Sequence, residues 1–252
     1  MLDVRNVSAG YGKDNVLDAV SLRAHAGEIT TVIGKNGCGK STLLKAIAGI
    51  VRPLSGEVVV DGADMLHLSS VERARCIAYL AQGRGAPEIT VGRMVLHGRF
   101  PHLGYPRRYT KADHAIAQEV MKTVGIDHLT HLPLRQLSGG MRQKVYIAMA
   151  LAQQTPVVLM DEPTTYLDIA QQMNFGVMAQ ELAAQGKAVL LVLHDLLLAL
   201  RISHRIVVMD GGRVLFSGTP RETMDSGILQ QLYGVEVASL ETEQGQRLYY
   251  NY

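Results

Sequence analysis

Gly34-Lys-Asn-Gly-Cys-Gly-Lys-Ser41 fits the pattern G-x-x-x-x-G-K-[ST] at every position. It follows the apolar run Ile29 to Ile33, which reads as a buried strand, and it opens a helix over Ser41 to Ile50. Strand, glycine-rich turn and helix in that order predict a nucleoside-triphosphate site. Glycines at 34, 37 and 39 let the backbone curl. The peptide N–H groups across Gly34, Lys35, Asn36, Gly37, Cys38 and Gly39 then point inward as a nest for phosphate oxygens. Lys40 supplies the counter-charge and Ser41 offers a hydroxyl to Mg²⁺. Thr42 lies in the first turn of the helix, whose positive end faces the phosphates.

Many enzyme classes carry a phosphate loop, so the rest of the chain decides among them. With 252 residues it can bury a large core as a single domain. Its strictly apolar stretches, such as Ala188 to Leu193, are far short of the roughly 20 residues of a membrane helix. Met1 to Arg5 lacks the basic-then-apolar build of a secretory signal, which leads us to expect a cytosolic protein. The two cysteines, Cys38 and Cys76, form no CxxC pair and predict neither a disulfide framework nor a zinc site. With 25 basic and 23 acidic residues there is no electrostatic footprint for nucleic acid. His128 and His131 read as surface histidines, and the eleven methionines as core filler.

Leu2 to Val7 and Val16 to Arg23 read as antiparallel strands, followed by a turn at Ala26-Gly27. Gly56 to Gly62 and Ile77 to Leu80 are further strands. The texture changes near Pro87: Thr90 to Gly98, Lys111 to Gly125 and Gly140 to Gln153 read as helices around the Pro/Gly-bearing stretch 100–109. Strand and helix then alternate: Val157 to Met160, a helix over Ile169 to Ala184 with Ile169, Met173 and Val177 on one face, and Ala188 to Leu193. Gly186 stands where a helix-terminating glycine belongs. Short strands around Gly211-Gly212 and a helix over Ser226 to Tyr233 close the pattern. The expected fold is α/β: a phosphate-loop core with a mostly parallel sheet, an N-terminal antiparallel β subdomain, and a helical subdomain inserted over residues 87–156, with 1–86 and 157–252 forming the rest.

Val157-Val-Leu-Met-Asp-Glu162 is an apolar strand ending in two carboxylates that strand alternation sends different ways. Asp161 suits a place in the Mg²⁺ shell, and Glu162 suits a base that polarises water aimed at the γ-phosphorus. His194, at the end of its strand and before the helix-capping Asp195, suits a γ-phosphate sensor or an ordinary loop histidine. Gln82 suits an Mg²⁺ ligand or a polar turn residue. Leu137-Ser-Gly-Gly-Met-Arg-Gln143 places Ser138 at a helix start, with Gly139 and Gly140 exposing their N–H groups as a second anion-binding helix end. Cys38, beside Lys40 and a helix N-terminus, is expected to be a reactive thiolate that maleimide labels and Mg·ATP protects; a thiol turned into the core would be inert.

Taken together these residues resemble the nucleotide-binding subunit of an ABC transporter over almost the whole chain. The resemblance implies ATP and Mg²⁺ as ligands, and a dimer in which Ser138, Gly139 and Gly140 of one copy face the nucleotide on the other copy's phosphate loop. It implies that Tyr11 stacks on adenine, that Gln82 belongs to the glutamine loop, Asp168 to the subunit-crossing loop, and that His194 is the switch histidine. The runs Met160 to Ile169, Arg142 to Gln153 and Val192 to Leu196 resemble importers of iron–siderophore chelates, haem and cobalamin. That implies two permease subunits, an external substrate-binding protein, and a peripheral position on the cytoplasmic face of the cell membrane. An ATPase of another transporter class, a soluble ABC ATPase acting on ribosomes or DNA, and a phosphate-loop phosphotransferase remain the alternatives.

Overall fold

The structure, a computed structural model, describes residues 1–12, 14–83, 85–242 and 245–251. The first third of the chain runs β1 (Leu2–Tyr11), β2 (Asp14–Ala24), β3 (Ile29–Gly34), α1 (Lys40–Ile47), β4 (Ser55–Val60), β5 (Ala63–Asp64), α2 (Ser70–Cys76) and β6 (Ile77–Leu80). Three helices occupy the middle, α3 (Val91–His97), α4 (Lys111–Val124) and α5 (Gly139–Ala152). Then come β7 (Val157–Asp161), α6 (Ile169–Ala184), β8 (Ala188–Val192), α7 (Leu196–Ile202), β9 (Arg205–Asp210) and β10 (Arg213–Gly218). The chain closes with α8 (Pro220–Asp225), α9 (Ile228–Tyr233), β11 (Glu236–Thr242) and β12 (Gly245–Asn251).

Six strands form the central sheet in the order β10-β9-β3-β8-β7-β6, parallel throughout except for the β9–β10 hairpin. Every residue of β3, β7 and β8 is buried, because this sheet is covered on both faces and its strands are apolar at consecutive positions. Alternation splits them between two cores. Ile33, Val158, Met160, Leu191 and Val208 face Val145, Phe175 and Leu198 of α5, α6 and α7. Val32, Leu159, Val192, Val207 and Met209 face Leu43 and Ile47 of α1 and, beyond it, Leu2, Val4 and Leu17 of a second sheet. That antiparallel sheet has the order β2-β1-β4-β5. The fold is therefore the α/β phosphate-loop architecture expected, with its separate antiparallel sheet and helical elements.

The core of the middle helices, including Val95, Met121 and Leu134, is continuous with the first of these clusters. Arg99, just after α3, donates to the Asp113 carboxylate (3.0 Å) and to the Ala152 carbonyl (3.0 Å), tying the three helices at a buried point. Thr110 and Asp113 form a reciprocal cap at the start of α4, whose C-terminus passes into a left-handed glycine, Gly125.

One reading of the sequence is corrected here, that of Met173 as core filler. The apolar face Ile169, Met173, Val177 of α6 points to solvent, with exposures of 77%, 38% and 55%. The buried face is Phe175, Ala179, Leu182 and Ala183, with Gly176 allowing α7 to approach, since a Cβ there would lie 3.1 Å from Ile202. Met173 is accordingly not core filler, whereas Met65, Met94, Met121, Met160 and Met209 are. Beyond the expected closing helix the chain also forms the β11–β12 hairpin, which the sequence reading did not anticipate.

Candidate active site

β3 delivers the glycine loop beneath a cavity of about 500 Å³, lined by Val16, Asn36, Gly37, Gly39, Lys40, Ser41, Thr42, Gln82, Glu162 and His194. Two glycines are required by position. A Cβ on Gly34 would meet the Met209 carbonyl oxygen at 2.2 Å, and Gly39 has φ 102° with Leu17 2.8 Å from where a Cβ would be. Lys40, 5% exposed, folds back on its own loop: Nζ donates to the carbonyls of Gly34 (2.8 Å) and Lys35 (2.9 Å). An anion seated in the loop would find a lysine held beneath the nest by the backbone that forms it.

Ser41 Oγ donates to Asp161 Oδ1 at 3.0 Å, and Tyr79 on β6 donates to Oδ2 at 3.4 Å. Asp161 is 1% exposed. Burial pushes its carboxyl pKa up; the Ser41 hydrogen bond opposes this and the Glu162 charge adds to it, leaving a net rise. A buried carboxylate beside a hydroxyl is a donor set that fits a hard divalent cation with oxygen ligands.

The strand ends at Asp161. Glu162 has φ 49°, and this left-handed step, rather than alternation within a strand, turns its side chain toward the cavity. Its carboxylate accepts from His194 Nε2, from Gln82 Nε2 and from Thr165 Oγ1. Three donors, two of them from distant parts of the chain, thus converge on one carboxylate at the cavity wall. The sequence reading had proposed Gln82, Glu162 and His194 separately; it missed Tyr79, Thr165 and Val16.

Cys38 overturns its expectation. The thiol is 5% exposed and burial raises its pKa, with Lys40, 3.9 Å away, pulling only partly the other way. Its contribution to the site is backbone geometry. Tyr11, at the end of β1, is 49% exposed and is not among the cavity-lining residues; Val16, on the paired strand, is. Ser138 caps α5 by accepting from Met141 N–H (3.3 Å), with Gly139 and Gly140 in the first turn, as expected of that run. None of the three lines the phosphate-loop cavity. Gly139 instead borders a separate cavity of about 200 Å³ with Arg142, Gln143, Tyr146 and Tyr166. Asp168 caps α6 by accepting from Gln171 N–H at 2.8 Å, and Asp195 caps α7 from Leu198 N–H at 3.0 Å. His128 and His131 are exposed.

The family model for ABC transporters matches residues 17–165, which span the glycine loop, the Ser138 turn and both carboxylates. The chain belongs to the ABC transporter family. The iron(3+)-hydroxamate import ATP-binding protein of Bacillus subtilis (strain 168) is 38% identical over 237 residues, 93% of this chain and 88% of that protein. A transporter assigned to the metal-chelate ABC type, in an inward-facing conformation, superposes with a TM-score of 0.86 at 26% identity over 99% of this chain and 96% of that one. The dimeric structure of the bacterial ABC transporter cassette MJ0796 matches with a TM-score of 0.78 at 29% identity, over 88% and 99%. This ABC chain is an ATP-binding ATPase. Among the described residues no helix is long and apolar enough to cross a membrane.

Proposed function

We propose that this chain is the ATPase subunit of an importer for metal chelates of the iron–siderophore, haem or cobalamin kind. It works as a homodimer beneath two permease subunits, fed by an external binding protein, on the cytoplasmic face of the cell membrane. The observation that carries the dimer is the separation of the two anion-binding helix starts: the Ser138 turn lies outside the cavity that holds Lys40 and Glu162. A second copy supplies it across a two-fold interface. The cargo rests on the likeness to iron(3+)-hydroxamate and metal-chelate transporters.

In this reading the phosphates of ATP sit in the nest over residues 34–39, at the N-terminus of α1, with Lys40 leaving its own carbonyls for phosphate oxygens and Tyr11 meeting the adenine. Ser41, Asp161 and the Gln82 amide oxygen would hold Mg²⁺, which would supply neutralisation of the phosphate charge. Glu162 takes the proton of the attacking water, and the hydrogen bond from His194 Nε2 keeps its carboxylate aimed. Closure of the dimer is a population shift, driven by contacts made only when a γ-phosphate bridges both copies. Residues 87–156 act as the helical lobe that carries this motion to the permease.

The test is to purify the tagged chain from membranes of its host and to assay the recovered complex in vesicles. Co-purification with integral membrane proteins and ATP-driven uptake of an iron-loaded hydroxamate are the expected results. Recovery with ribosomes or DNA in place of membrane proteins would overturn the reading.

A further inference from the structure

A second cavity, of about 540 Å³, opens where β1 and β2 meet the β9–β10 hairpin, and it shares no lining residue with the phosphate-loop cavity. Arg5, Arg23 and Arg205 line it, with Asp3, His25 and Ser217. Arg205 opens β9 and lies beside Thr30 in the parallel β3–β9 register. The cavity therefore sits toward the start of β3, while the phosphate loop leaves from its end at Gly34. The acids here are already committed. Asp3, 4% exposed, accepts from Arg5 Nε at 2.9 Å and from Arg23 Nε at 3.4 Å, and Glu57 accepts from Arg5 Nη1 at 3.3 Å. Glu222, close to Gly218 at the end of β10, accepts from the Thr219 N–H at 2.7 Å in the cap of α8. Arg5 is thereby used up. The two terminal nitrogens of Arg23 and the whole Arg205 guanidinium make no hydrogen bond or ion pair among the described residues. Thr30, next to Arg205, is fully buried with its hydroxyl unpartnered.

We propose that this cavity binds a phosphate-class anion, gripped between the Arg23 and Arg205 guanidinium groups, with His25 and Ser217 offering further donors. The pairing of β1 with β2 accounts for the contacts of Asp3 with Arg5 and Arg23, since Asp3 and Arg23 are direct cross-strand partners. It does not account for Arg205, which comes from the other sheet and has no acid of its own. A guanidinium is permanently charged and presents paired N–H groups that match the oxygens of a phosphate. By holding Arg23 through Nε, the buried Asp3 fixes that side chain while its two outer nitrogens stay available, so part of the site is ordered before a ligand arrives. Its place at the other end of β3 separates it from the phosphates of ATP. The phosphate of a soluble anion and that of a lipid headgroup present the same oxygens, and the experiment decides between these sources.

The test uses the full chain carrying Lys40→Ala, so that the phosphate loop does not compete for the probe. Isothermal titration with inorganic pyrophosphate, without Mg²⁺, should give one site per chain that weakens as salt is raised. Arg205→Gln on that background should weaken it at least about tenfold, the loss of charge-assisted hydrogen bonds, with the thermal unfolding midpoint unchanged. Arg23→Gln should do the same, and it carries the comparison if Arg205→Gln fails to fold. Co-sedimentation with phosphatidylcholine vesicles containing phosphatidic acid, against phosphatidylcholine alone, is the second arm. Binding of either probe that is lost in the folded variants supports the site and names its source. Binding of neither probe, or binding that the folded variants leave unchanged, overturns it.

Discussion

Glu162 carries the strongest constraint at the scale of one residue. A carboxylate that accepts from Gln82, His194 and Thr165 at once is held in place by three hydrogen bonds. Glu162→Gln removes the proton acceptor and leaves the nest, Lys40 and Ser41 intact. Hydrolysis should fall by about 10²–10⁴, while ATP binding persists and accumulates a closed dimer. Single-turnover hydrolysis and gel filtration with ATP measure the two halves; hydrolysis at the wild-type rate would remove Glu162 from the base position. Cys38 shows how little a motif says of direction. The loop pattern places a thiol next to Lys40, but which way it points depends on Met209 and the underside of the sheet, which are distant in sequence. In a Cys76→Ser background, maleimide should label Cys38 only slowly, with or without Mg·ATP, and rapidly in denaturant. Mass spectrometry showing fast native labelling that Mg·ATP blocks would restore the exposed-thiolate reading.

Among the elements, the buried pair Arg99–Asp113 lies where α3, α4 and α5 meet. Burial alone would raise the Asp113 carboxyl. The Thr110 cap and Arg99 outweigh it and hold the group at about 2, below its ordinary 3.8. A depressed carboxyl pKa contributes stability that is fully present above 3.8 and is lost as pH falls toward about 2. Asp113→Ala leaves Arg99 buried without its partner, and denaturant unfolding near pH 7 should register a loss of about 3–5 kcal/mol. The difference from wild type should shrink below pH 4; a constant difference down to pH 2 would show that charge is not its source. The uninterrupted apolar strands β3, β7 and β8 and the capped helix α4 were legible because local pattern and burial agree. The buried face of α6 was not, because the helix carries two apolar stripes and only the arrival of α7 against Gly176 selects between them. The β11–β12 hairpin escaped for the opposite reason, since Glu236 to Thr242 is only weakly alternating and draws its support from packing on α8 and α9.

At the scale of the whole molecule, the two halves of the site are both present and yet apart in one chain. The glycine loop and the Glu162 cluster form one cavity, and the Ser138 turn borders another. The sequence disclosed the parts, and the resemblance supplied the rule for joining them; the separation is a property of the folded chain. Ser138→Arg should stop hydrolysis, because a long cationic side chain at the start of α5 obstructs the partner's γ-phosphate. The variant should still bind ATP on its own phosphate loop. Lys40→Ala should stop hydrolysis by the other route. In a heterodimer of the two variants, one composite site combines both defects, and the other combines an intact Lys40 with an intact Ser138. Random pairing at equal amounts leaves about a quarter of composite sites whole, so hydrolysis should reappear on mixing two inactive proteins, up to about that fraction of wild type. Differently tagged chains, purified through both tags in succession, isolate the heterodimer for the assay. Heterodimers that form and remain inactive would mean that Ser138 serves its own chain, and the two-fold composite site would have to be abandoned.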